Sequence, residues 1–305
     1  LDLQRMSVDR FSGEDLTHLG SVGRTGPGPG EYEFPIAFAT LGSGGVAVAD
    51  MMARNIVLYD PVMAYVEELG GFGQSGAPSN LAPGVGDSFV GSQMRIQPGE
   101  QGPEGSLLVG CWNPTDPEPA TVYATFPVNV RSEDGGIRVE APRIALATGP
   151  DGSVFVAESS DSVYLIRGFT SDGGELVTIE KDWERVGKTD EEIEDGALGL
   201  AISMESGTTS ITRPRIEDVN PFRDAVSGLG VDASERLWVR VGSDEIPTFH
   251  VYDYQGELLF VARLEGLGRV AGRRAEFVID SGGVLGFDPD PEDYPKVYLI
   301  ELEQP

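Results

Sequence analysis

The sequence predicts an all-β protein of the β-propeller class, with six blades preferred and five as the alternative. The first observation is a short apolar strand motif that recurs with starts at Val46, Leu107, Val154, Leu237 and Val284. These starts are 61, 47, 83 and 47 residues apart, and one blade takes roughly 40 to 50 residues. The 83-residue interval is therefore long enough for one hidden blade. The second observation is that 41 glycines and 21 prolines fit a chain with many turns.

The stretch from Gly23 to Asp60 shows the pattern most clearly. Gly26–Gly30 alternates glycine with proline, which excludes a helix and predicts a tight surface connection. Short strands separated by glycine and aspartate follow, as expected for one blade. The predicted strands are Ile36–Thr40, Val46–Asp50, Ile56–Tyr59 and Tyr65–Leu69.

The order of these pieces resembles the NHL repeat, and most closely the six-bladed NHL-type propellers that bacteria export. The matching residues are Gly28-Pro-Gly-Glu-Tyr followed by Pro35, Val46-x-Val-Ala-Asp and Ile56-x-x-Tyr-Asp. The resemblance is strong over residues 20–70, and moderate over 142–180 and 224–265.

The resemblance implies structural roles for Gly28, Gly30, Pro35 and Asp50. NHL repeats usually carry Asn-x-Arg before the third strand, and that arginine pairs with the aspartate that ends the second strand. This chain has Arg54-Asn55 instead. We still expect an ion pair between Asp50 and Arg54.

The charge balance limits the kinds of partner. The net charge is −28, from 50 acidic and 22 basic residues, so the phosphate backbone of a nucleic acid would be repelled. The acidic surface is expected to attract a partner with a partly basic surface, and solubility alone is the alternative explanation. Cys111 is the single cysteine, which excludes a disulfide within the chain and a cysteine-based metal site.

The chain is expected to work in the periplasm or outside the cell. It begins with Leu1 rather than methionine, which indicates either processing or a shortened sequence, and in both cases any signal peptide is expected to be gone already. The resemblance to exported propellers implies the same location. No run of 18 apolar residues occurs, so no transmembrane segment is expected.

Residues 1–305 are expected to form a single propeller domain whose ring is closed by the N-terminal segment. The last blade shows three strands, so Leu3–Gly20 is expected to complete it by pairing with Val297–Leu302, and to supply an outer strand to the first blade. The second blade, at about 88–140, contains an extended turn at Gln97–Gly105. The third blade is regular, with Gly152 in a hairpin turn.

Residues 182–222 break the repeat. Thr189 followed by acidic residues is typical of a helix N-terminus, and residues 198–204 fit either a continued helix or a strand. The sequence leaves open whether this segment is a helical insertion or a degenerate blade.

The sequence lacks the usual enzymatic motifs. His18 and His250 are the two histidines, and neither is expected near the propeller axis, so a histidine–zinc site is not predicted. Asp288–Asp293 lacks the ligand spacing of a calcium loop, and no Gly-x-Ser-x-Gly motif is present. We therefore expect no catalytic residue, no metal and no cofactor.

The predicted function is a non-enzymatic, exported scaffold that binds another protein, as an accessory subunit on the extracytoplasmic side of a membrane complex, for instance an electron-transfer or photosynthetic assembly. Loops 71–105, 113–120 and 182–222 are expected to carry the contacts, because proline-stiffened loops lose less entropy on binding. The alternative is a metal-dependent, lactonase-like or lyase-like hydrolase with its site in the central channel. Candidate interface residues are Trp112, Trp183, Glu191 and Glu192, whereas Trp238 is predicted to be core.

Overall fold

The chain is an all-β protein with β-propeller architecture, as the sequence predicts. The computed structural model describes residues 1, 5–12, 17–26, 28–99, 102–133, 136–197, 201–205, 208–212, 215–242, 245–267, 275–280, 282–288 and 296–300. The chain divides into two units, residues 1–129 with 171–173, and residues 130–170 with 174–305. The predicted single domain and the predicted ring closure both concern how these units join, and they stay predictions.

The first unit begins with a two-stranded antiparallel sheet, β1 (Val8–Phe11) and β2 (His18–Val22). Val8 and Val22 lie in one apolar cluster with buried valines of the first blade. That blade consists of β3 (Pro35–Thr40), β4 (Val46–Asp50), β5 (Asn55–Tyr59) and β6 (Tyr65–Leu69), paired in chain order. Because β6 is its outer strand, the prediction that the N-terminal segment supplies that strand is wrong.

The second blade has five strands. They are β7 (Ser79–Pro83), β8 (Phe89–Gly99), β9 (Gly102–Trp112), β10 (Thr121–Glu133) and β11 (Gly136–Glu140), in the order β11-β10-β9-β8-β7.

The extended turn predicted at Gln97–Gly105 is wrong, because β8 and β9 pair through it. Pro98 faces Pro103 and Gly99 faces Gly102 in the antiparallel register. Two opposed prolines remove the N–H donors of a single residue pair. In an antiparallel ladder every second residue pair forms no backbone hydrogen bonds, so such a pair can consist of two prolines. The predicted loop at 71–105 is therefore mostly strand.

The second unit contains the third, fourth and fifth blades. The third is β12 (Ile144–Thr148), β13 (Val154–Glu158), β14 (Tyr164–Phe169) and β15 (Glu175–Lys181). Next come helix α1 (Asp190–Ala197) and the hairpin β16 (Ala201–Glu205) with β17 (Thr208–Thr212). The fourth blade is β18 (Gly228–Val231), β19 (Leu237–Val241), β20 (Thr248–Tyr252) and β21 (Leu258–Arg263). The fifth is β22 (Glu276–Asp280), β23 (Gly283–Asp288) and β24 (Lys296–Ile300).

The described residues thus form five blades of three to five strands, with β1–β2 as a possible incomplete sixth. The 83-residue interval between Val154 and Leu237 contains a helix and a two-stranded hairpin instead of a hidden four-stranded blade. The helix predicted after Thr189 is confirmed as α1, and the strand alternative is confirmed at β16.

Within each unit, apolar clusters lie between neighbouring blades. Trp112 is fully buried in the cluster that joins blades one and two. Trp238 lies in the cluster between blades four and five, which confirms its prediction as core. Burying a large aromatic side chain supplies much of the energy that holds blades together.

Asp50 ends β4 as a fully buried carboxylate that accepts four backbone N–H groups. Arg54 is exposed and adopts a positive φ of 58° in the following turn. The described residues contain no ion pair between Asp50 and Arg54. The expected pair is wrong, because backbone donors already satisfy the carboxylate.

The other residues implied by the repeat shape turns. The Gly28 N–H donates to the Glu31 carboxylate at 2.9 Å, and the Gly30 carbonyl accepts from the Tyr59 hydroxyl at 3.0 Å. Pro35 begins β3 opposite Asp50. Gly152 has a φ of 82° in the turn before β13, a backbone conformation that favours glycine.

Candidate docking surface

The outer strand of the fourth blade, β21, exposes four consecutive apolar residues. Leu258 is 49% exposed, Leu259 47%, Phe260 39% and Val261 51%. Neighbouring residues of a strand point to opposite faces, so both faces of β21 are accessible. Apolar residues scattered singly over a surface are normal, whereas a continuous run of this kind marks an interaction site or an aggregation hazard.

Two other outer strands are protected by charge. Glu67 and Glu68 lie within β6, and Glu180 and Lys181 lie at the end of β15. Charged side chains on an edge strand oppose pairing with another chain. From residue 258 to 262, β21 carries no charge, so it lacks this protection.

The backbone of β21 is held firmly by β20. Val261 faces His250 and Phe260 faces Val251 in the antiparallel register. The Phe260 ring lies 5.9 Å from that of Trp238 in an edge-on contact. No strand pairs with the other edge of β21 in the described part of the chain. The strand therefore presents a fixed backbone edge with unpaired N–H and C=O groups.

An aromatic and imidazole cluster lies beside this strand. The Tyr164 hydroxyl is 3.1 Å from His250 Nδ1 and 3.0 Å from the Tyr252 hydroxyl. Burial lowers the pKa of His250, and the positive charge of Lys181 lowers it further, so the imidazole is neutral at pH 7. Burial also raises the pKa of Tyr164 far above its usual range. The cluster is an uncharged network that fixes β14 and β20.

Trp183, a predicted interface anchor, joins this cluster from the segment after β15. Its ring stacks on Tyr164 with centroids 5.7 Å apart, and it is half-buried. Its buried indole N–H has no hydrogen-bond partner among the described residues. Trp183 therefore packs against the third blade through Tyr164.

The structure places the other predicted interface residues differently. Trp112 is wrong as an interface anchor, because its side chain is fully buried in the core. Its ring stacks on Phe89, and its indole N–H donates to the Pro117 carbonyl at 3.1 Å. Glu191 is exposed in the first turn of α1.

Glu192 is also wrong as an interface residue, because its carboxylate is used inside the protein. It accepts the Thr189 N–H at 2.8 Å, while the Glu192 N–H donates to the Thr189 hydroxyl at 3.3 Å. This reciprocal pair is a capping box that begins α1. The same carboxylate accepts two hydrogen bonds from Arg223 at 2.9 Å. The Glu192 side chain is 4% exposed.

A cavity of about 280 Å³ lies at the hairpin turns of blades four and five. Asp232 and Arg236 line it, together with Asp280. The Asp232 carboxylate accepts from Arg236 Nε at 2.7 Å and from the Trp238 indole at 2.8 Å. These polar groups already have partners, so they hold the turn rather than present chemistry to a ligand.

The histidines do not form a metal centre with other residues. His18 lies in β2 within hydrogen-bond distance of Asp9 and Ser21, and His250 lies in the third strand of its blade. Within the described ranges, no group of three or more His, Cys, Asp or Glu is placed to hold a metal ion. Asp288 ends β23 as a buried residue, and the rest of the predicted acidic cluster, 289–293, lies outside the described residues.

Adding EDTA is expected to leave the thermal midpoint unchanged. A metal that binds the folded state would raise this midpoint by mass action, and the described residues offer no such site. Differential scanning calorimetry with and without EDTA tests this, with magnesium-free buffer as the control. A fall of several degrees that calcium reverses would contradict it and support the hydrolase alternative.

The sequence matches no protein-family model and no curated protein. A member of the DUF4221 family from Bacteroides vulgatus is 8% identical, with a TM-score of 0.50, over 96% of this chain and 86% of that chain. A gluconolactonase from Xanthomonas campestris is 16% identical, with a TM-score of 0.39, over 83% and 68%. The likeness to the DUF4221 protein shows the fold alone.

Dihydro-heme d1 dehydrogenase NirN is 12% identical, with a TM-score of 0.33, and the match covers 85% of this chain. It covers 62% of that protein, so this chain spans less than two thirds of its length.

Among the helices that the structure describes, none has both the length and the apolar character needed to cross a bilayer.

Proposed function

We propose that this protein is a non-enzymatic scaffold that binds another protein through the free edge of β21. The observation that carries the proposal is the run of exposed, uncharged residues Leu258–Val261 on an outer strand. An extended segment of a partner would add to this edge by backbone hydrogen bonds, with Val261 and Leu259 as apolar contacts. This is the recognition mode called strand addition.

The occupant we propose is a segment of a different protein with a partly basic surface. A second copy of this chain would also carry a net charge of −28, and the mutual repulsion opposes close association. An opposite charge on the partner raises the association rate and is screened by salt. We therefore expect binding to weaken as the ionic strength rises.

Two finer parts of the proposal rest on the sequence. The first is that the blades are of the NHL type. The second is that the protein acts outside the cytoplasm, as an accessory subunit of a membrane protein complex. Cell fractionation of the native host tests the location, and recovery of the protein in the cytosolic fraction would contradict it.

The variant Val261→Lys is expected to weaken docking about tenfold while leaving the fold intact. A lysine on an edge strand opposes strand pairing, and a loss of about 1.4 kcal/mol in binding free energy weakens affinity about tenfold. The assembly would be purified from detergent-solubilised membranes through the tagged chain, and its subunits identified. The partner subunit identified in this way would then be produced in recombinant form, and its affinity for each variant would be measured by calorimetric titration.

The matched control is Val66→Lys on β6. Val66 is 53% exposed and lies on the outer strand of another blade. Val66→Lys therefore adds the same charge as Val261→Lys at a position of similar exposure. Retained affinity in Val66→Lys and weakened affinity in Val261→Lys is the expected result. Equal affinity of both variants would contradict docking on β21. A purified assembly without any membrane subunit would contradict the accessory-subunit role.

A further inference from the structure

Lys188 lies in a short, well-ordered connection of the second unit. Its N–H donates to the Pro221 carbonyl at 2.8 Å, and the Arg223 N–H donates to the Val186 carbonyl at 2.9 Å. Gly187 and Phe222 form an antiparallel bridge between these two bonds. The backbone of Lys188 is therefore fixed, and the residue is half-buried.

Two ion pairs involve residues next to this connection, since Arg223 and Asp224 directly follow the bridge residue Phe222. Arg143 Nη2 lies 2.8 Å from Asp224 Oδ2, and Arg223 Nη2 lies 2.9 Å from Glu192 Oε2. Lys188 interacts electrostatically with all four of these groups, so three cations and two carboxylates share one place. Its ammonium group forms no ion pair within 4.0 Å in the described part of the chain. The Lys188 ammonium group is therefore left without a direct carboxylate partner among the described residues.

An ammonium group without a direct carboxylate partner is unusual in a chain with a net charge of −28. Burial lowers the pKa of Lys188, and although Asp224 and Glu192 raise it, Arg143 and Arg223 lower it. A half-buried ammonium is poorly hydrated, so a negatively charged group beside it would be strongly favoured. A fully solvated lysine would give no such preference.

Arg143 supplies the second donor. Its side chain is 73% exposed, and one of its N–H groups donates to Asp224. A guanidinium has five N–H donors in a planar fork that matches an oxyanion. Arg143 directly precedes β12, the innermost strand of blade three, and Asp224 lies shortly before β18, the innermost strand of blade four.

We propose that Lys188 and Arg143 bind an oxyanion, a carboxylate or phosphate group, at the start of strands β12 and β18. Lys188 supplies the point charge and Arg143 supplies directed N–H donors. Asp224 and Glu192 hold the arginines in place, so the site is preorganised. The site is independent of the edge strand β21.

Amine labelling of the intact protein tests this site directly, because the chain has three lysines: Lys181, Lys188 and Lys296. An uncharged N-hydroxysuccinimidyl ester reacts with the neutral amine, and mass spectrometry follows each lysine separately. A bound oxyanion favours the protonated ammonium and raises its pKa by about one unit. Inorganic phosphate or acetate, at constant ionic strength set with sodium chloride, should therefore slow labelling of Lys188 about tenfold.

Exposed Lys181 is the internal control, and its labelling rate should not change. Protection of Lys188 by phosphate alone, or by acetate alone, supports the proposal and identifies the ligand group. Protection by neither anion, or equal slowing at Lys181, would overturn it.

Two variants extend the test by calorimetric titration with the protecting anion. Arg143→Gln is expected to weaken anion binding, and Lys188→Met to abolish it, whereas Lys181→Met should bind like the unmodified chain. Undiminished binding by both Arg143→Gln and Lys188→Met would also overturn the site. The labelling result needs no variant, so it holds even if Lys188→Met folds poorly.

Discussion

Replacing Asp50 by alanine is expected to lower the free energy of unfolding by about 4 kcal/mol. The buried carboxylate accepts the N–H groups of Glu33 at 2.6 Å and of Phe34, Met52 and Ala53 at 3.0 Å each. Each N–H group left without an acceptor costs about 1 to 3 kcal/mol when buried. Water can reach some of these donors, so the expected loss is below the full sum.

Urea denaturation followed by tryptophan fluorescence measures this loss. The matched control is Asp60→Ala, since Asp60 accepts two N–H groups in a half-buried turn after β5. That variant should lose about 1 kcal/mol. Arg54→Ala should change stability by less than about 0.5 kcal/mol, because Arg54 is exposed and does not pair with Asp50. A loss in Asp50→Ala no larger than in Asp60→Ala would refute the role of the carboxylate.

Replacing Glu192 by alanine is expected to destabilise the second unit by about 3 to 5 kcal/mol. The change removes the Glu192 carboxylate from Arg223, whose side chain is 18% exposed, so a mostly buried guanidinium loses this counter-charge. It also removes the acceptor of the Thr189 N–H at the start of α1. The two effects act on the same segment, so α1 should become less protected before the blades unfold.

Hydrogen exchange across α1, together with urea denaturation, measures both effects. Glu191→Ala is the control, because it removes the same charge from the neighbouring exposed position in the same helical turn. It should cost less than about 1 kcal/mol through the helix dipole. Similar losses in the two variants would show that the buried ion pair contributes little.

Much of the fold could be predicted because glycine and aspartate mark where strands end. The predicted strands Val46–Asp50 and Tyr65–Leu69 agree residue for residue with β4 and β6, and the motif start predicted at Leu237 is the first residue of β19. The extended turn at Gln97–Gly105 was mispredicted because proline and glycine were taken to end strands. Pro98 in β8 lies opposite Pro103 in β9, so the two missing N–H groups fall in the same residue pair of the ladder. The sequence of one strand does not reveal which residues of the next strand will lie opposite it.

The candidate surface was harder to predict than the fold. An unbroken apolar run such as Leu258–Val261 usually indicates a strand covered on both faces, whereas β21 is exposed on both. By contrast, the sequence does contain a pattern that predicts the buried position of the Glu192 carboxylate. The spacing Thr189-x-x-Glu192 is that of a capping box, which assigns the carboxylate to the helix start.

The paired strands β8 and β9 extend beyond the body of their blade. The pairing of β9 with β10 ends at Gly105, whereas β8 and β9 continue to pair as far as Gly99 and Gly102. Pro98 is exposed near the end of this ribbon, far along the strands from the buried residues at Phe89 and Trp112. A fluorophore or affinity tag attached there would report on the protein without disturbing its core, which makes the ribbon a practical handle for imaging and purification.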